Sequence, residues 1–267
     1  MKDLKGKVAI VTGGANGIGR GIARQLAEYG VRVVIADIDC KQGEAVVREI
    51  RAAKKEARFV KTDLTKDREI EALFSHVRDT ENRLDILICN AGVQIREWAT
   101  DFLMEEFDYL MSVNLRAYYL CARLAASYMK EQKNGGAIVC MSSVNSLSYH
   151  SKRSPYNISK AGVNGLVGTL GVEWGRYSIR INAVAPGYVQ TEIMQSGIRD
   201  GNLDEKTIMS VIPMKRYITI EEVSNVVCFL ASDLSSGVTG QVLCVDGGWS
   251  KNALPENIDL SGGGREK

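Results

Sequence analysis

Seven short apolar runs recur along the chain: KVAIVT, VRVVIAD, ARFVKTD, LDILICN, AIVCMSS, IRINAVAPG and QVLCVDGG. Val and Ile dominate them, and the first four show little polar alternation, as expected of strands covered on both faces of a parallel sheet. Between them IGRGIARQLAEY, KQGEAVVREIRAAKK, REIEALFSHVRD, EEFDYLMSVNLRAYYLCARLAASYMKEQ, PYNISKAGVNGLVGTLGVEWGRY and IEEVSNVVCFLASD carry apolar residues at helical spacing. Thr219 followed by Glu222 predicts a capping-box start for the last of these. Strand–helix alternation over the whole length implies right-handed crossovers. The predicted fold class is α/β: a single-domain, Rossmann-type, doubly wound parallel β-sheet of about seven strands with helices on both faces.

Composition narrows the function classes. At 267 residues, with 45% apolar and 25% charged side chains, the chain suits one globular domain with a substantial core. A formal net charge of +2 gives no global field favouring nucleic acid or an anionic membrane. No apolar run approaches the ~20 residues of a membrane span. The opening MKDLKGKVAIVTGG is too short in apolar residues for a signal peptide, so the cytoplasm is the expected compartment. The six cysteines are scattered without a C-x-x-C pair, which predicts buried free thiols. Two histidines, His76 and His150, supply a metal site or a His-dependent triad poorly.

The first strand runs directly into TGGANGIG, and a helix follows. Gly13, Gly17 and Gly19 permit a tight turn and close approach of a pyrophosphate to the backbone, at the positive end of that helix. The spacing is a variant of the dinucleotide fingerprint, and a plain strand–helix connection would look similar. The second strand ends in VVIAD, which puts Asp37 about 20 residues on, where an acid accepts the hydrogen bonds of an adenosine ribose. A carboxylate there repels a 2′-phosphate, so NAD is expected over NADP. Asp37 as a cap for the following helix is the structural alternative.

With Asn90-Ala91-Gly92, Asn114, Ser142-Ser143, Tyr156-x-x-x-Lys160, Pro186-Gly187 and Thr191 added in that order, residues 5 to about 250 resemble the short-chain dehydrogenase/reductase family. Cys89 departs from the second asparagine that many members carry there. The resemblance implies a catalytic set of Asn114, Ser143, Tyr156 and Lys160. Ser143 would bind the substrate oxygen, and Asn114 would hold a water linking Lys160 to solvent. Cofactor contacts are implied along the glycine turn at Gly13, Asn16, Gly17, Ile18 and Gly19, then at Asp37 and Ile38. Asp63 and Leu64 correspond to adenine contacts, with Thr65 better placed than Asp63 to cap the next helix. Asn90, Ala91 and Gly92 end the fourth strand. Pro186, Gly187, Val189 and Thr191 flank the nicotinamide, whose ribose Lys160 would bind. The chemistry has its own logic. An alcohol that gives up hydride must also lose its hydroxyl proton, and free tyrosine, with a pKa near ~10, is a weak base at neutral pH. A lysine one helical turn away places a positive charge on the same face, expected to lower the tyrosine pKa.

The stretches VQIREW and VNSLSYHSKR border the expected substrate pocket and are polar and basic. Candidate substrate residues are Ser143, Asn145, Gln94, Arg96 and Tyr156, whereas Lys152 and Arg153 read as surface charges. NAGVQIREW and the later DGGW are similar to gluconate 5-dehydrogenase and 2-dehydro-3-deoxygluconate dehydrogenase members of the family. There Arg96 would meet a carboxylate through its planar fork, the alternative being a solvated loop charge. The expected activity is NAD(H)-dependent interconversion of a secondary alcohol and a ketone on a sugar acid or polyol. A 3-oxoacyl thioester or hydroxysteroid reductase, and an NAD-binding regulatory protein without turnover, are the alternatives. Residues 1–250 are expected to form the dinucleotide-binding and catalytic domain, with residues 190–212 a mobile lid. The tail, residues 251–267, is expected to be loose or intersubunit. The long helix and the Tyr156 helix resemble the family's subunit interface, implying a homotetramer or dimer.

Overall fold

The computed structural model describes residues 1–199 and 204–252; most of the tail and part of the expected lid lie outside them. Seven strands form one parallel sheet: β1 (Val8–Thr12), β2 (Arg32–Asp37), β3 (Ala57–Lys61), β4 (Ile86–Cys89), β5 (Gly136–Met141), β6 (Ile179–Pro186) and β7 (Val242–Val245). Their order is β3-β2-β1-β4-β5-β6-β7. The order therefore reverses between β1 and β4, the crevice where open α/β sheets bind ligands at strand carboxyl ends.

Side-chain alternation along the strands feeds two cores. Ile10, Val34, Leu87, Ile138 and Ile181 face one layer, made by α3 (Asp67–Glu81), α5 (Ala117–Gln132) and α6 (Ser154–Trp174). Val11, Ile35, Ile88, Val139 and Val184 face the other, made by α1 (Gly17–Glu28), α2 (Cys40–Ala52) and α9 (Ile220–Ala231). The two smaller helices after β6 are α7 (Glu192–Arg199) and α8 (Glu205–Val211). All six cysteines are free thiols, four of them buried. Among the described residues, no helix is long and apolar enough to cross a membrane.

The capping box at α9 forms as expected, with Thr219 Oγ1 accepting from Glu222 N at 3.1 Å and Glu222 Oε2 from Thr219 N at 2.8 Å. Three expectations need correction. β3 is an edge strand whose faces are only partly covered: Phe59 packs in one core and Val60 in the other, while Arg58 and Lys61 are exposed. Thr65 does not cap α3: its hydroxyl donates to Asp63 at 2.7 Å, and Lys66 occupies the cap position. The long helix is not continuous: α4 (Met104–Met111) passes through a wider π-turn, Ser112–Arg116, before α5 begins. Asn114 lies in that turn, a local winding that frequently marks functional positions.

Candidate active site

The first layer of the site is a tightly bonded floor. Thr12, ending β1, accepts the Asn90 backbone N–H at 3.0 Å through Oγ1, and the Asn90 amide donates to the Thr12 and Gly13 carbonyls, both at 3.0 Å. Gly13 has φ +64°, and a Cβ there would sit 2.7 Å from the Ala91 Cα. A side chain on Gly19 would strike the Gly13 carbonyl and the Asn90 amide. The glycine spacing thus closes β1, α1 and the β4 end into one surface. Asn16 precedes α1 in extended conformation without a side-chain cap, leaving the first N–H groups of that helix open to a ligand.

Asp37 stands at the end of β2, its carboxylate accepting from Ala15 N at 3.0 Å and from Asp39 N at 3.1 Å. It therefore ties the glycine turn to the strand end. The capping role for α2 belongs to Asp39, which accepts from Gln42 N at 3.0 Å. Ile38 beside it is exposed, while Leu64 is buried in the core. The Asp63 carboxyl is held below its ordinary range, chiefly by the Thr65 hydroxyl, with Lys66 adding to the effect.

Beyond this floor opens a cleft of about 1030 Å³. It is lined by Ile18, Asn90 and Gly92 on one side, by Ser143, Asn145, Tyr156 and Lys160 at the centre, and by Pro186, Gly187, Val189 and Thr191 on the far side. Gln94, Arg96, Arg153, Tyr188, Met194 and Trp249 line it as well. Ser143 follows β5, its hydroxyl accepting from Asn145 N at 3.1 Å. Tyr156 and Lys160 lie one turn apart on α6, and Lys160 is almost fully buried.

The electrostatics differ from the expectation. The Lys160 ammonium donates to the Met141 carbonyl at 2.7 Å and lies 5.8 Å from the Tyr156 ring centre and 5.1 Å from that of Tyr118. Burial pulls its pKa down to about 8. Burial also raises the Tyr156 phenol above its ordinary pKa, and the opposing effects come from the Ser143 hydroxyl and the Arg153 charge, not from Lys160. Asn114 anchors the loop after β4, accepting from Val93 N at 2.8 Å and donating to Val93 O at 2.9 Å. Arg153 is not a plain surface charge but lines the cleft, whereas Lys152 is exposed, over the Trp98 ring at 4.7 Å. Within residues 190–212, Thr191, Met194 and Ser196 line the cleft. Ile208 packs with Val144, Ile212 and Trp249.

Sequence reasoning passed over Tyr118. It is buried, its hydroxyl donates to the Ala91 carbonyl at 2.8 Å, and its ring lies beneath the Lys160 ammonium. Its position four residues after Asn114, on the same helical face, was the available signal.

A nicotinamide dinucleotide fits this arrangement. The uncapped start of α1 suits a pyrophosphate, the Asp37 carboxylate suits ribose hydroxyls, and the cleft leads from there to Tyr156.

Comparison with known proteins agrees. A family model described as enoyl-(acyl carrier protein) reductase matches residues 13–250. A short-chain dehydrogenase/reductase of Armillaria gallica is 34% identical over 251 residues, covering 91% of this chain and 96% of that protein. The (-)-isopiperitenol/(-)-carveol dehydrogenase of Mentha piperita is 38% identical over 253 residues, covering 93% and 95%. Among solved structures, a gluconate 5-dehydrogenase from Burkholderia cenocepacia in complex with NADP and tartrate superposes with a TM-score of 0.88. Its sequence identity is 31%, with 94% of this chain and 97% of that one covered. The chain belongs to the short-chain dehydrogenase/reductase family. It is accordingly an oxidoreductase acting on CH–OH groups. The relatives name different substrates, so the substrate must be read from this chain's own cleft.

Proposed function

We propose that the chain is an NAD(H)-dependent dehydrogenase that interconverts a secondary alcohol and a ketone on a small polar substrate, a sugar acid or polyol. The observation that carries this reading is the convergence of Ser143, Tyr156 and Lys160 on one cleft that Gln94, Asn145 and Arg96 also line. The Ser143 hydroxyl holds the carbinol oxygen, and Tyr156 accepts its proton as the C–H bond breaks. The Ser143 hydroxyl and the Arg153 charge favour the phenolate, while Lys160, with a pKa of about 8, is poised to move protons near neutral pH. When bound, the nicotinamide takes up the hydride. Asn114 fixes the loop that carries Gly92 and Val93 against α6, which positions Lys160. Lys160 and Thr191, with Pro186, Gly187 and Val189, would hold the nicotinamide end of the cofactor.

The preference for NAD rests on Asp37. Its carboxylate, at the end of β2, faces like-charge repulsion from a 2′-phosphate. The related gluconate 5-dehydrogenase holds NADP, so resemblance alone does not choose between them. An apolar wall of Tyr188, Met194 and Trp249 favours a second reading, a reductase of larger carbonyl substrates such as 3-oxoacyl thioesters or hydroxysteroids. Exposed Tyr109, Tyr119, Ile158 and Val172 on α4, α5 and α6 support self-association as a homotetramer or dimer.

The test is absorbance at 340 nm with NAD or NADP against sugar acids, polyols, steroids and cyclic alcohols. We expect turnover of a sugar acid or polyol, with kcat/KM for NAD at least about tenfold above NADP, a difference of ~1.4 kcal/mol. Asp37→Ala combined with Ile38→Arg is expected to reverse that ratio. A wild type that already prefers NADP contradicts the assignment of Asp37, and turnover of steroids alone favours the second reading.

A further inference from the structure

The cleft carries two positive charges, Arg153 and Arg96, beyond the Ser143, Tyr156 and Lys160 set. Arg153 occupies the cap position of α6, three residues before Tyr156, and is half-buried. Arg96 approaches from the loop after β4, and both guanidinium groups line the same cleft. They lie close enough that Arg96 and burial together pull the Arg153 pKa below its ordinary value. Among the described residues neither is paired with a carboxylate.

The surroundings orient Arg153 without neutralising it. With its carboxamide oxygen turned toward Arg153, Gln94 accepts from Nε at 2.9 Å and from Nη1 at 3.3 Å. A guanidinium has five N–H groups, so one face of the fork remains for another acceptor. His150 packs against Tyr188 and Trp249, and burial and these two arginines hold it below its ordinary pKa. The Trp249 and Tyr188 ring centres lie 4.9 Å apart. Two guanidinium groups on one cleft, one of them oriented by Gln94, offer planar forks suited to a carboxylate.

We propose that Arg153, together with Arg96, clamps a carboxylate of the substrate, which makes the substrate class a hydroxy acid rather than a neutral polyol. This rests on the dehydrogenase reading above. Because Arg153 and Tyr156 share the first turn of α6, the anionic group is held at a fixed offset from the carbinol oxygen. Arg153 is then the residue that separates a charged substrate from a neutral one of the same shape.

The experiment titrates the protein–NADH complex calorimetrically with two matched pairs: gluconate against sorbitol, and 3-hydroxybutyrate against butane-1,3-diol. In the wild type the acid of at least one pair is expected to bind about 10- to 100-fold more tightly than its neutral partner, the scale of charge-assisted hydrogen bonds. Arg153→Gln is expected to erase that preference, and Arg153→Lys, which keeps the charge and loses the fork, to retain part of it. NADH binding reports whether each variant is folded. If Arg153→Gln fails to fold, the wild-type preference and the Arg153→Lys series decide. Absence of any acid preference in the wild type, or a preference that survives in Arg153→Gln, overturns the clamp. Tight, Arg153-dependent binding of acids, with no rise at 340 nm when the same acids are supplied with NAD in place of NADH, would leave the clamp standing and refute hydroxy-acid oxidation. Turnover of neutral alcohols without acid preference would do the reverse.

Discussion

Tyr156→Phe is expected to lower kcat for alcohol oxidation by about 10²- to 10⁴-fold while dinucleotide binding persists, the range typical of a lost general base. The substitution removes the phenolic oxygen and leaves the ring, which still sits 5.8 Å from the Lys160 ammonium and still packs at the start of α6. Ser143 keeps its hydrogen bond from Asn145 N, so the substrate oxygen would still find a donor but no acceptor for its proton. The loss is therefore expected in kcat and kcat/KM together, as for an interaction made in the transition state. Fluorescence titration with NADH and steady-state kinetics on one alcohol provide the measurement. Activity within tenfold of wild type would remove Tyr156 from the role of base.

Lys160→Met is expected to be inactive and yet more stable than wild type at pH 7. Burial holds the Lys160 pKa at about 8 against an ordinary 10.5, equivalent to a penalty of roughly 3 kcal/mol on the charged form. A methionine of similar shape carries no such penalty but forfeits the 2.7 Å hydrogen bond to the Met141 carbonyl, worth about 1 kcal/mol. The net expectation is a gain of roughly 2 kcal/mol, a case of stability given up for function. The pH dependence follows from the same values. As pH rises above about 8 the folded chain releases this proton, while the unfolded chain holds it until about 10.5. The unfolded state then binds more protons, so wild-type stability rises across that window relative to the variant. Urea unfolding of both proteins at pH 7 and pH 10 measures this. A variant less stable at pH 7, with the same difference at pH 10, would mean that the buried ammonium is not under strain.

What could be read from the sequence divides along physical lines. Strands β1, β2 and β4 declared themselves because burial on both faces demands nearly uninterrupted apolar residues. The α9 capping box was legible because its two partners lie three residues apart. The edge status of β3 was not legible, because ARFVK reveals nothing about which strand lacks a neighbour; the exposed Arg58 and Lys61 show it only once the order is known. The π-turn at Asn114 depends on hydrogen bonds to Val93, 21 residues away, and no local propensity encodes them. Arg153 read as a surface charge because the loop before α6 is basic and polar. Its inward placement depends on Gln94, 59 residues earlier, folding back over it. The pairing of Tyr156 with Lys160 was correct in position but too simple in electrostatics. Spacing fixes which face two residues share, and the Met141 carbonyl decides where the ammonium points.

In the proposed reaction, hydride leaves the carbinol carbon while Tyr156 takes the hydroxyl proton. Its most direct test uses an alcohol returned by the 340 nm assay, deuterated at the carbinol carbon, followed through one turnover. The predicted result is a slowed turnover with the deuterium recovered in the reduced nicotinamide, and no product in Tyr156→Phe on the same timescale. Ketone formed with the deuterium lost to water, or formed at an equal rate by Tyr156→Phe, would contradict this reaction.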